Sequence, residues 1–171
     1  MAAADWPKAP AQTAGAVIRC EPGNVSGPRN APLTLDLYIE NVADLYGADV
    51  RLTFNPAIAR VVDTNSLQSG VQIQPLSGFL SPDFVAFNTA NNGAGTIKYV
   101  VTQLNPRLPV TGSGSIARIT FQPLRAGSFT LAFTYQQLAQ RDGIAIPATT
   151  QNCVVTFGPP PTRTATPTRT P

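Results

Sequence analysis

The chain has 171 residues, enough for one domain with its own packed core. Apolar residues make up 43% of it, charged residues only 12%, and histidine is absent, which excludes His-based triads, His general bases and His metal sites. The formal charge is +3, yet from Ala16 to Gly158 nine Lys/Arg face eight Asp/Glu with no basic stripe among aromatics, so no nucleic-acid partner is expected.

Residues 1–14 hold a run of alanines, two prolines and the only tryptophan, Trp6. They lack the charged and apolar runs of an export signal and read as a flexible leader. From Ala16 onward the text reads as strands. Ala16 to Cys20 is a short first candidate. Leu33, Leu35, Leu37 and Ile39 then alternate with Thr34, Asp36, Tyr38 and Glu40. Val50, Leu52 and Phe54 alternate with Asp49, Arg51 and Thr53. Ala59 to Val62, Gln72 to Pro75 and Phe84 to Asn88 are shorter candidates. Ile97, Tyr99 and Val101 alternate with Lys98, Val100 and Thr102. The same period of two recurs at Ala117 to Phe121, Phe129 to Thr134 and Cys153 to Phe157. Turn residues punctuate these runs: Asn55-Pro56, Ser81-Pro82, Asn92-Gly93, Gly112-Ser113-Gly114, Ala126-Gly127 and Asp142-Gly143. Residues 159–171 contain only Pro, Thr, Arg and Ala, with nothing to bury. That tail is expected to be an extended linker, a composition typical of exported modular proteins.

No segment carries a capped helical period, and no apolar run approaches the roughly 18 residues of a membrane span. One-faced alternation on about nine strands predicts an all-β, antiparallel β-sandwich of jelly-roll-like topology spanning residues 15–158. Leu35, Leu37, Leu52, Phe54, Ile119, Phe121 and Leu131 belong in its core. Asp49, Arg51 and Thr53 share the outer face of one strand; Lys98, Val100 and Thr102 share that of another. Such a face is either ordinary solvated surface or a binding surface.

Catalytic chemistry finds little support. Asp36 with Glu40, or Asp44 with Asp49, could be paired for glycoside hydrolysis, but Asp36 and Glu40 alternate with core residues on an outer face and read as surface charge. Asn88 to Gly95 is Asn- and Gly-rich without a carboxylate, so it reads as a hairpin loop and not a calcium site. No metal and no cofactor is expected. Asn24-Val25-Ser26 fits a glycosylation sequon, a short match that says little alone. Polysaccharide binding needs exposed aromatic platforms, and of Tyr38, Tyr46, Tyr99 and Tyr135 only Tyr38 has clearly outward parity.

The order of features resembles the cohesin domain, the bacterial module that binds dockerins in cellulosome-type assemblies. Val17-Ile18-Arg19 is similar to the family's first strand, and Leu33 to Val42 to its second. Leu45-Tyr46-Gly47-Ala48-Asp49-Val50-Arg51-Leu52-Thr53-Phe54-Asn55-Pro56 resembles its recognition strand and the turn that follows. Gly112 to Phe121, Gly127 to Leu131 and Asp142-Gly143 are similar to later strands and a hairpin. Where cohesins often carry Asn-x-Asp, this chain reads Gly47-Ala48-Asp49, so only Asp49 carries over. Asn55-Pro56 stands for Asp-Pro. The resemblance implies a secreted or cell-surface, bacterial, non-catalytic module. It implies a dockerin-like protein partner on the sheet bearing Asp49, Arg51, Thr53, Lys98, Val100 and Thr102. It also implies that the strands of Cys20 and Cys153 lie side by side and are bridged by a disulfide, the alternative being two buried free thiols. Related sandwiches bind carbohydrate or pack with copies of themselves, and both remain alternatives.

Overall fold

A computed structural model describes residues 15–159; the leader with Trp6 and the Pro/Thr linker lie outside the described residues. Thirteen strand segments follow one another. In chain order they are β1 (Ala16–Glu21), β2 (Asn24–Pro28), β3 (Leu33–Leu45), β4 (Gly47–Thr53), β5 (Ala59–Val61), β6 (Gln74–Pro75) and β7 (Phe84–Asn91). Then come β8 (Thr96–Thr102), β9 (Val110–Pro123), β10 (Gly127–Ala139), β11 (Ala145–Ile146), β12 (Ala148–Thr150) and β13 (Cys153–Gly158). The first sheet has the order β12-β1-β3-β9-β5, with β6 also on β9. The second has the order β2-β13-β10-β4-β8-β7, with β11 also on β10. No helix occurs among the described residues.

Alternation does what the sequence requires of it. The inward residues of β3, β4, β8, β9 and β10 fill the space between the sheets, and Leu35, Leu37, Leu52, Phe54, Ile119, Phe121 and Leu131 are all buried. Phe121 meets Phe54 and Phe129 edge-on, each with ring centroids 5.3 Å apart, a favoured aromatic geometry.

The two ends of the domain depart from the expected antiparallel pattern. β1 pairs with β12 in parallel, Ala16 opposite Ala148, and β2 pairs with β13 in parallel, Asn24 to Pro28 beside Val154 to Gly158. The first and last chain segments thus run alongside each other in one direction, and each passes from the first sheet to the second on the way. β2, β11 and β12 are short and lack alternation over enough residues to be read in sequence.

Cys20 and Cys153 are bonded, with Cα atoms 6.0 Å apart and a sequence separation of 133. The expectation that their strands lie side by side is not met, since the strands belong to opposite sheets: Cys20 is the last residue but one of β1 and Cys153 opens β13. The reason is the sheet switch, since the bridge sits where both terminal segments cross. It is an inter-sheet staple.

β3 is bent by two bulges. Asn41 and Asp44 both take φ 55°, a left-handed conformation that Asn and Asp tolerate better than most residues. Their amides donate to Ser113 Oγ and Thr111 Oγ1 on β9. Val42 and Leu45 stay in the core despite the register breaks. Tyr46 alone then carries the chain into β4 of the other sheet. Its amide donates to the Ala139 carbonyl, and its carbonyl accepts from Gln103 N–H.

Candidate docking face

The second sheet presents a continuous outer face built on β10, β4, β8 and β7. β4 lies centrally, and its ladders fix who meets whom. Asp49 lies between Val100 on β8 and Gln137 on β10; Arg51 lies between Lys98 and Tyr135; Thr53 faces Thr96. Val100 in turn faces Phe87 on β7, and Thr102 faces Phe84. All six residues expected from alternation therefore point outward on adjoining strands: Asp49, Arg51, Thr53, Lys98, Val100 and Thr102.

Charge on this face is organised by π-systems as well as by ion pairing. Arg51 grips the Asp49 carboxylate with two hydrogen bonds, at 3.0 and 3.3 Å, along its own strand. Those bonds raise the guanidinium pKa above its ordinary value. The same guanidinium stacks over Tyr135, 4.4 Å from the ring centroid, while Tyr135 donates to Gln137 Oε1 at 2.7 Å. Lys98 Nζ sits 3.4 Å from the centroid of Phe87.

Phe84, Phe87 and Tyr135 are parts of this face that sequence reasoning did not assign to it. Two bulges hide the last two. On β10 the register shifts between Phe133 and Tyr135. Counting by twos from Phe129 and Leu131 puts Tyr135 inside, but the extra residue turns it out, 39% exposed. On β7 the shift falls between Val85 and Phe87. It leaves Val85 against the core and swings Phe87 out, 49% exposed. Phe84 has outward parity, but its short candidate strand showed no one-faced apolar alternation.

The opposite face, on the first sheet, is self-satisfied. Arg19 pairs with Glu21 and Glu40 and covers the Tyr38 ring. Arg118 holds Asp36 with two hydrogen bonds. Asp36 and Glu40 are thus bound to separate arginines and act as surface charge. Asp44 belongs to a β3 bulge and Asp49 to the other sheet's outer face, so neither proposed carboxylate pair forms a site. The Asn-rich stretch is structural as well. Asn88 belongs to β7, and its amide clamps both backbone groups of Ile73; Asn92 does the same to Val61. Among the described residues no cluster of three or more His, Cys, Asp or Glu is placed to hold a metal.

The cohesin domain profile matches residues 18–153, most of the chain. This chain is a member of the cohesin family. A cohesin from Clostridium acetobutylicum, solved in complex with its dockerin, superposes with a TM-score of 0.69 at 16% identity, covering 84% of this chain and 99% of that one. The cohesin of a type I cohesin–dockerin complex from Clostridium thermocellum gives 0.67 at 12% identity, covering 84% and 99%. A non-cellulosomal cohesin from the archaeon Archaeoglobus fulgidus gives 0.62 at 16% identity, covering 85% and 92%. These likenesses carry the fold. No curated protein matches the chain significantly.

One loop of this cohesin borders the face and is fixed by a carboxylate. Asp83, just before β7, accepts from Arg107 Nε at 2.9 Å, Leu104 N–H at 3.1 Å and Ser81 Oγ at 2.8 Å. Arg107 first, then the Leu104 amide, lower its pKa from 3.8 to about 2. A depressed carboxyl favours the folded loop fully above its ordinary pKa, and that contribution disappears as pH falls through about 2. Protection of the Leu104 amide should therefore fall, its exchange approaching the intrinsic rate, as pH drops from about 4 to about 2. Asp83→Asn should show that exchange already at neutral pH. Equal protection in both proteins at every pH would refute the assignment.

Proposed function

We propose that this cohesin is a non-catalytic, extracellular recognition module that docks a dockerin or dockerin-like protein on the outer face of β10, β4, β8 and β7. The Pro/Thr tail would tether it to further modules or to a cell surface. Family membership supports the reading, and two of the related structures are complexes with dockerins. The observation that carries it on this chain is the contrast between the two outer faces. One spends Glu21, Asp36 and Glu40 on its own arginines. The other is open, with half-exposed aromatics beside a limited set of charges, the composition of an interface rather than of ordinary surface.

Asp49, Arg51, Thr53, Lys98, Val100 and Thr102 are the proposed contact residues, with Asp49 orienting the partner. Asp49→Ala should weaken binding by about 1–2 kcal/mol, since it removes a contact and frees Arg51. Tyr38→Ala, on the opposite sheet, should leave binding unchanged. Titration of both variants against immobilised dockerins of types I and II tests this. Full binding by Asp49→Ala with loss in Tyr38→Ala would overturn the face. Polysaccharide retention that depends on Tyr38, or concentration-dependent association of the chain alone, would favour the two alternative readings.

A further inference from the structure

We propose that the occupant of this face is an acidic amphipathic helix, whose apolar stripe lies along β7 and β8 and whose carboxylate meets Lys98. The inference rests on the docking reading above and adds the chemistry of the partner.

Three observations converge on it. The apolar part of the face is one strip: Phe84 is 53% exposed, Phe87 49% exposed, and the ladder sets Val100 beside Phe87. Leu104, 49% exposed, continues it past the end of β8. The charges across that strip do not cancel. Asp49 is the one carboxylate on β10, β4, β8 and β7, and Arg51 already holds both of its oxygens. Lys98 has no carboxylate partner among the described residues; it lies over the Phe87 ring, next to the strip. A partner that covers Phe87 must desolvate this ammonium, and an unpaired buried charge is costly. A carboxylate beside the partner's stripe removes that cost, whereas a basic stripe doubles it.

The occupant is a helix, not an added strand, because the edge of β7 is blocked. Its backbone is bulged at Ala86, Asn88 turns its side chain to the Ile73 backbone, and Ala90 N–H donates to the Val71 carbonyl. Strand addition needs a free, regular edge. Approach onto the face remains, and a helix offers apolar residues at i, i+3/i+4 and i+7 to such a strip.

The test is selection of phage-displayed helical peptides of roughly 20 residues, with a fixed apolar stripe and randomised flanks, against the full 171-residue chain. The expected result is enrichment of Asp or Glu beside the stripe. Phe87→Ala and Lys98→Glu should each weaken the selected helices by about tenfold or more, with Tyr38→Ala unchanged. Replacing the selected acidic residue by lysine should restore binding to Lys98→Glu. Phe87 is half-exposed, so its removal leaves the core intact, and unchanged melting temperatures would confirm that. Helices with neutral or basic flanks, or helices indifferent to Lys98→Glu, overturn the acidic partner. If such helices are still lost with Asp49→Ala or Phe87→Ala, the docking face stands without it. Helices indifferent to Asp49, Phe87 and Lys98 changes alike, or no enriched helix at all, overturn both.

Discussion

Removing the bridge with Cys20→Ala and Cys153→Ala together should destabilise the domain by about 3–5 kcal/mol, the chain-entropy value for so long a closed loop less some residual structure in the unfolded chain. The melting temperature should fall on the order of 10 °C. Both sulfurs are buried between the sheets, so alanine leaves small voids but no unpaired polar group. The double variant should keep its strands, because the β3–β9 and β10–β4 ladders inside the two sheets involve neither cysteine's strand. Intact protein should gain the mass of two hydrogens on reduction. Two titratable thiols in native protein under oxidising conditions would refute the bridge.

Phe121→Ala should cost a similar amount, about 3–5 kcal/mol, for a different reason. Phe121 is fully buried on β9 and is the shared partner of Phe54, just past β4, and Phe129 on β10. Its ring therefore joins the two sheets, and neighbours held on both sheets cannot fully relax into the space it leaves. Phe87→Ala is the proper contrast. It removes an equal ring from a half-exposed site and should change stability by less than about 1 kcal/mol, including its contact with Lys98. Urea unfolding of the two variants separates them. Similar midpoints would mean that Phe121 is not at the centre of the core.

Period-two alternation made much of this fold legible because each long strand buries one face. Leu35 and Leu37, or Leu52 and Phe54, have no other way to leave water. The recognition-strand resemblance, with its Gly47-Ala48-Asp49 and Asn55-Pro56, located β4, and parity then set Asp49, Arg51 and Thr53 outward. Tyr135 and Phe87 escaped for one physical reason. Parity is reliable only until a strand gains a residue, and the bulges at Thr134 and Ala86 reverse it for Tyr135 and Phe87. Nothing in Phe-Thr-Tyr or Val-Ala-Phe announces such a bulge. The parallel edge ladders escaped likewise, since β2 and β12 are too short to carry a pattern and depend on partners more than a hundred residues away.

The sheet-switching terminal segments also decide how the module bears tension. Ala16 lies beside Ala148 and Gly158 beside Pro28, so the two ends emerge from opposite poles of the sandwich. A pull applied at Ala16 and Gly158 travels through Ala16–Cys20, crosses the sulfur bridge, and leaves through Cys153–Gly158. Every residue from Glu21 to Asn152 is off that route. Even with β1 and β13 stripped from their neighbours, those eleven residues extend to roughly 40 Å and no further. With its cysteines joined, the domain is a nearly inextensible link, and force along a chain of modules would be spent on whatever connects them and leave the docking face in shape.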